Sequence, residues 1–296
     1  MRDTLTAPPQ RTQVPLRHLT GPDDLGRTLI EQLLERAAAF ERGDSDGAPL
    51  RGRLLATLFY EPSTRTRFSF ESAMYRLGGQ VLSAENAARA SSAAKGESLE
   101  DTIQIVSAYA DAIVLRHQEV GAAERAARAA QVPVINAGDG AGYHPTQALL
   151  DLYTIKKELG RLDHLRIGLA GDLRFGRTAR SLALLLSRFP RNELVLISPR
   201  ELGMGSDVID QLQGVRVVET EDFEGAIGDL DVLYQTRIQA ERSGRGTPFD
   251  IWPPASRPPS SASIRRSSSG ASACLRNPAM MPATVCGPAR PLPYAA

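Results

Sequence analysis

The chain has 296 residues, 42% of them hydrophobic, with 35 Lys and Arg against 34 Asp and Glu and a net charge of +1. That length and apolar fraction are enough for two domains with a core each, and the charge balance excludes a nucleic-acid binder held by a general positive field. No apolar run approaches the ~20 residues of a membrane helix, and residues 1–15 lack the apolar centre of a signal peptide. The only two cysteines, Cys274 and Cys286, exclude a disulfide scaffold and a Cys-rich zinc site, so a cytoplasmic protein with no membrane partner is expected.

Residues 1–20 read as a loose arm. Asp23 and Asp24 are placed to cap a helix running to about Phe40, with Leu25, Leu29, Leu33 and Leu34 along one face. The run Leu54–Phe59 within 53–60 has the character of a buried strand. A helix from about Thr66 to Leu77, closed by Gly78-Gly79, leads to a short strand over 80–82 and a polar loop over 84–96. Then come a helix over 98–110, a strand over 112–115, an Ala-rich helix over 121–130 and a strand over 133–136. Leu149, Leu152, Ile155 and Leu159 predict a long helix over 145–159. Beyond it lie a strand over 166–170, a helix over 178–189, and strands over 193–197, 215–218 and 231–234. Short apolar strands alternating with helices predict an α/β protein of two domains, each a parallel sheet flanked by helices. The long helix is the natural bridge, so the boundary is expected near residue 150, giving domains over 1–150 and 151–242. There is no internal sequence repeat.

The character of the sequence changes after Arg242. Residues 243–296 hold 10 of the 20 prolines, both cysteines and the only Trp, with six Arg, no Lys and one acid. The body before it carries 29 basic and 33 acidic residues. Pro253-Pro254, Pro258-Pro259 and Ser267-Ser268-Ser269 show neither helical nor strand periodicity, so this tail is expected to bury little apolar surface and to lie outside the fold.

Five segments carry residues suited to chemistry. In Phe59-Tyr60-Glu61-Pro62-Ser63-Thr64-Arg65-Thr66-Arg67-Phe68-Ser69-Phe70-Glu71 a strand ends, Pro62 turns the chain, and hydroxyls and guanidinium groups gather at a helix start. Free N–H groups and the positive end of the helix dipole make this an anion site suited to phosphate. It lacks the glycines and lysine of a P-loop. In Gly140-Ala141-Gly142-Tyr143-His144-Pro145-Thr146-Gln147, His144 stands between a glycine-rich loop and a helix, suited to donating to an oxygen that gains negative charge. Arg116 closes a strand, at the sheet edge where ligands bind in open α/β sheets. Its neighbour His117 reads as a bystander. Gly171-Asp172-Leu173-Arg174-Phe175-Gly176-Arg177 and Tyr234-Gln235-Thr236-Arg237-Ile238-Gln239 each follow a strand. Arg177 and Arg237 could each clamp a carboxylate. Taken singly, each segment also has a bland reading as a helix cap or a surface ion pair.

Together these segments resemble the aspartate and ornithine carbamoyltransferase family over roughly residues 15–242. Ser63-Thr64-Arg65-Thr66-Arg67 followed by Phe68-Ser69-Phe70-Glu71 carries the resemblance, and His144-Pro145-Thr146-Gln147 supports it. Glu61-Pro62, Lys95-Gly96-Glu97-Ser98-Leu99 and Thr236-Arg237-Ile238-Gln239-Ala240-Glu241-Arg242 resemble the aspartate branch. The resemblance implies transfer of a carbamoyl group from carbamoyl phosphate to the amino group of L-aspartate, in pyrimidine synthesis, with no cofactor and no metal. It implies that Ser63, Thr64, Arg65 and Thr66 bind the phosphate, and that Arg116 and His144 act on the carbonyl. Gln147 would hold the carbamoyl amide, and Arg177, Arg237 and Gln239 the aspartate carboxylates. Ser91 and Lys95 would serve a neighbouring subunit's site, which implies a homotrimer, and regulatory or other pyrimidine-pathway subunits are further partners the family admits.

After the Thr-Arg-Ile-Gln block the family continues with more α/β structure, a His-Pro-Leu-Pro-Arg loop and a terminal helix. The tail here offers only Pro291-Leu292-Pro293, so the second domain reads as incomplete. The tail is either a native Pro/Ser-rich extension or an out-of-frame translation of GC-rich DNA, and its starting point favours the second. The alternative functions are a relic that binds carbamoyl phosphate or assembles with intact subunits, and a carbamoyltransferase for another amine such as ornithine.

Overall fold

The computed structural model describes residues 17–44, 47–85 and 96–236, with the backbone alone of residues 273–276. Residues 17–20 are pinned, not loose. Leu19 bridges to Ile135, its N–H donating to Val134 O at 2.8 Å while Asn136 N–H donates to Leu19 O at 2.8 Å. A 3-10 turn, Pro22–Asp24, precedes α1 (Arg27–Glu41). Asp24 caps that turn, accepting from Thr20 N and Gly21 N, so α1 starts later than its acidic pair suggested, at Gly26.

β1 (Leu54–Phe59) is buried along residues 55–59, as a central parallel strand must be. The chain continues through α2 (Thr64–Arg76), β2 (Gln80–Glu85), α3 (Leu99–Ser107), β3 (Ala112–His117), α4 (Ala122–Ala129) and β4 (Val134–Asp139). The first sheet is parallel, in the order β2-β1-β3-β4. Ala56, Leu58, Ile113, Leu115, Ile103 and Ala126 form its core on the face that α3 and α4 cover.

α5 (Pro145–Leu159) begins with Pro145, whose missing N–H costs nothing in the first turn, and ends at Gly160 with φ 73°. Its bounds are those the sequence predicts. Then follow β5 (Arg166–Ala170), α6 (Arg177–Leu186), β6 (Glu193–Ile197), a 3-10 turn (Arg200–Leu202), α7 (Ser206–Ile209), β7 (Arg216–Thr220), α8 (Phe223–Ile227) and β8 (Val232–Gln235). The second sheet is also parallel, in the order β7-β6-β5-β8-β9, where β9 is Ala273–Arg276. The tail was expected to hold no strand. Four of its residues nonetheless pair with β8, whose outer edge presents backbone donors and acceptors that need partners.

The second core joins Leu152 and Ile155 of α5 to Leu182 and Leu185 of α6 and Ile167 and Leu169 of β5. Leu25, Ile30 and Leu34, from the start of the chain, belong to the same cluster. α1 and α5 therefore lie together, and Glu41 accepts from Tyr153 Oη at 2.6 Å across them. Among the described residues no helix is long and apolar enough to cross a membrane, and no group of three metal-ligating side chains occurs.

Candidate active site

An open parallel sheet has a point where strand order reverses, and the loops leaving the strand ends there part to form a crevice. In the first sheet that point lies between β1 and β3. In the second it lies between β5 and β8. Four of the five functional segments stand at these strand ends, and the fifth, with His144, leaves β4 next to β3.

At the first crevice, β1 and β3 are in register from Leu55 to Phe59, with Phe59 opposite Arg116. Tyr60 N–H donates to Arg116 O at 2.8 Å, so the turn that follows β1 passes directly beside the end of β3. Pro62 stops the strand and Ser63 is the N-cap of α2. The Ser63 side chain makes no capping bond, so the helix start keeps its amide donors available alongside the Ser63, Thr64 and Thr66 hydroxyls. Thr64 and Arg65 are exposed, and Ser63 and Thr66 half-buried. The positive dipole, amides and hydroxyls of the α2 start thus stand at the sheet edge beside Arg116.

Arg116 is buried, and its Nη1 donates to Ala137 O at 3.1 Å. Its Nη2 lies 3.0 Å from Glu61 Oε2. Arg177, at the first turn of α6, reaches the same oxygen at 3.2 Å and donates to Gly140 O at 2.8 Å. One carboxylate thus joins a guanidinium from each half of the molecule. Gly138 makes the approach possible: with φ +114°, a Cβ built there would lie 2.9 Å from Arg177 Cζ and 3.0 Å from Arg116 Nη1.

His144 is the N-cap of α5 and is buried. Its Nδ1 accepts from Gln147 N–H at 3.4 Å, with the Thr146 hydroxyl 3.3 Å away. An accepting Nδ1 leaves the proton on Nε2, so the ring offers a donor. Burial, then Arg177, then Arg116 push its pKa well below the ordinary imidazole value, which keeps it neutral. Its main chain is held by Ser181 Oγ, which accepts from His144 N at 2.9 Å and donates to Arg177 O at 2.8 Å. Gln147 follows one turn on, and its Nε2 donates to Asp151 Oδ1 at 3.1 Å.

At the second crevice, Thr236 N–H donates to Ala170 O at 2.7 Å, and a Cβ on Gly171 would fall 2.5 Å from Thr236 O. Thr236 is thereby fixed against the β5 loop that leads to Arg177. Arg237 and Gln239, and Ser91 and Lys95 of the polar loop, lie outside the described residues. His117, read as a bystander, packs its ring on Tyr60 with centroids 4.8 Å apart.

Several contributors were not legible as such. Glu61 carries no local mark of its double ion pair. Asp139 fixes the glycine loop by accepting from Tyr143 N and Gly121 N, each at 2.8 Å, and from Asn136 Nδ2 at 3.1 Å. Its signal was the run Gly138-Asp139-Gly140-Ala141-Gly142, where a lone acid among glycines serves backbone amides. Asp151 could have been found from its i+4 spacing to Gln147 on a predicted helix.

The family model for the aspartate/ornithine carbamoyltransferase, carbamoyl-P binding domain matches residues 17–157. Aspartate carbamoyltransferase 1, chloroplastic, of Pisum sativum is 56% identical over 223 residues, covering 74% of this chain and 58% of its own length. The chain spans 53% to 62% of the length of the plant relatives it matches. The aspartate carbamoyltransferase catalytic subunit of Methanocaldococcus jannaschii is 49% identical over 232 residues, covering 77% of this chain and 76% of its own length. The crystal structure of the M. jannaschii catalytic subunit superposes with TM-score 0.72 at 47% identity, covering 80% of this chain and 78% of that one. Aspartate transcarbamoylase from Trypanosoma cruzi, in complex with carbamoyl phosphate and aspartate, superposes with TM-score 0.72 at 42% identity, covering 77% and 74%. Identity at this level over three-quarters of both chains leaves one assignment: the chain belongs to the aspartate/ornithine carbamoyltransferase family, with the aspartate carbamoyltransferase catalytic chains.

Proposed function

We propose that the chain transfers the carbamoyl group of carbamoyl phosphate to the amino group of L-aspartate, giving N-carbamoyl-L-aspartate and phosphate. The observation that carries this reading is the convergence of the α2 N-terminus, Arg116 and the neutral donor ring of His144 at one sheet edge. The phosphate sits at Ser63, Thr64, Arg65 and Thr66. The amine nitrogen attacks the carbamoyl carbon and forms the new C–N bond, while the carbonyl oxygen takes up negative charge. Arg116, His144 Nε2–H and the Thr66 hydroxyl stabilise that oxygen. The C–O bond to phosphate then breaks, and the departing phosphate accepts the amine proton. No protein nucleophile is needed, and holding both substrates in line itself supplies roughly 7–11 kcal/mol of the barrier.

Arg177 takes one aspartate carboxylate, with Arg237 and Gln239 assigned to the other by resemblance. Arg177 and Arg116 share Glu61, which holds the two guanidinium groups in place at the crevice. Phe68, Tyr75 and Leu82, exposed on α2 and on the edge strand β2, suit burial against a second copy. With Ser91 and Lys95 just beyond β2, this supports a homotrimer with shared sites. The cysteine usage fits a reducing compartment such as the cytoplasm.

The test is a carbamoyl-aspartate assay on the purified chain, with carbamoyl phosphate binding followed by calorimetry. Turnover with aspartate and none with ornithine is expected. Binding without turnover would favour the second reading, a carbamoyl phosphate binder that does not transfer, which the Pro/Ser-rich composition after Arg242 keeps in play. Arg65→Ala should leave the fold intact and abolish carbamoyl phosphate binding; unchanged affinity would reject the phosphate assignment.

A further inference from the structure

Among the buried acids that the transfer chemistry does not use, Asp151 stands next to a substrate-binding side chain. Asp151 lies on α5, one turn beyond Gln147, and is 6% exposed. Its Oδ1 accepts from Gln147 Nε2 at 3.1 Å. Its Oδ2 is buried and faces the hydroxyl of Tyr234 on β8, which is itself buried. A carboxyl buried this deeply lowers stability when ionised, so it is expected where it serves another purpose.

A side-chain amide has two ends of similar shape and opposite chemistry. An ionised carboxylate can only accept, so Asp151 binds the NH2 end of Gln147. The Tyr234 hydroxyl can only donate toward that carboxylate, which keeps it an acceptor. The Gln147 carbonyl oxygen is then the end left for a ligand. A carbamoyl group whose oxygen faces Arg116 and His144 has an NH2 in need of such an acceptor.

We propose that Asp151 is a positioning residue: it fixes the Gln147 amide with its carbonyl oxygen toward the crevice, and so selects an amide-bearing phosphate or phosphonate over one without the amide. This rests on the carbamoyl phosphate reading above. Gln147 and Tyr234 are the groups that face the carboxyl from α5 and β8, and Thr178 of α6 stands behind Tyr234. When Asp151 takes up a proton it gains a donor, and the amide is free to turn.

The probes are phosphonoacetamide and methylphosphonate, which share the phosphonate and differ in the amide, titrated by calorimetry into the full chain. The parent is expected to prefer phosphonoacetamide by roughly three- to tenfold, the yield of one neutral hydrogen bond. Asp151→Leu should bring that preference to about one while methylphosphonate affinity stays within about twofold. Asp151→Asn, which keeps an acceptor, should retain part of it. A measurement independent of any variant is the parent's preference at pH 8 and pH 5.5, which should fall at least threefold at the lower pH. A preference retained in Asp151→Leu, or unchanged with pH, overturns the positioning role and leaves the carbamoyl phosphate reading standing. A parent that binds both probes equally, or neither, overturns that reading and the inference with it.

Discussion

Burial pushes the Asp151 carboxyl up to about 7, against 3.8 for an ordinary aspartate. Between those values the folded chain holds a proton that the unfolded chain releases. Stability therefore falls as pH rises from about 4 to 7 and levels off above. Asp151→Asn removes the titrating group, so it should match the parent near pH 4 and exceed it at pH 8 by on the order of 3 kcal/mol. Urea unfolding at the two pH values checks this; equal stability at pH 8 would mean that the carboxyl is not desolvated. His144 behaves in the opposite sense, because burial and two guanidinium groups disfavour its charged form. Its ring should stay neutral, with the proton on Nε2, from pH 8 down to pH 6. Nitrogen-15 NMR of labelled histidine would read this directly, and a ring that protonates above pH 6 would contradict the proposed donor role.

At the scale of the element, helix and strand ends carry the predictions. Ser98 caps α3, its Oγ accepting from Asp101 N at 3.1 Å, and Ser98→Ala should cost about 1 kcal/mol in unfolding experiments without affecting ligand binding. Gly138, next to last in β4, lies beneath the two guanidinium groups, with a φ that other residues rarely adopt. Gly138→Ala should lower carbamoyl phosphate affinity at least tenfold by displacing Arg116; unchanged affinity would show that the arginines can give way. Elements marked by punctuation were legible. α5 lies between Pro145 and Gly160, and β5 and β6 are short apolar runs behind one charged residue, so their bounds could be read directly. The Asp23-Asp24 pair misled about α1 because a capping carboxylate serves a 3-10 turn as well as a helix. α7 and α8, of four and five residues, are too short to show a helical period at all.

For the whole molecule, the α1–α5 packing and the shared carboxylate of Glu61 are among the links that join the halves. Glu61→Ala keeps both sheets but loses the ion pairs between them. It should weaken aspartate use far more than carbamoyl phosphate binding, which calorimetry and initial rates separate. The edge of β8 is a second matter at this scale. A chain ending at Arg242 loses β9 and exposes that edge, so it should melt lower and scatter more light than the full chain. Equal stability of the two would mean that β9 adds nothing to the sheet.

The sequence by itself determined the α/β class, the order of most elements and the phosphate-suited block at Ser63–Thr66, because these depend on hydrophobic period, punctuation and neighbouring residue types. Only the tertiary structure decided that Glu61 serves Arg116 and Arg177 together, across 116 residues of chain in the second case. It alone decided that Gly138 lies beneath both, that β9 takes the open edge of β8, and that Asp151 is buried beside Tyr234. Such facts concern which distant segments meet and which groups lose their water. Local pattern fixes the elements, whereas desolvation and charge pairing arise only once the sheets stand against each other.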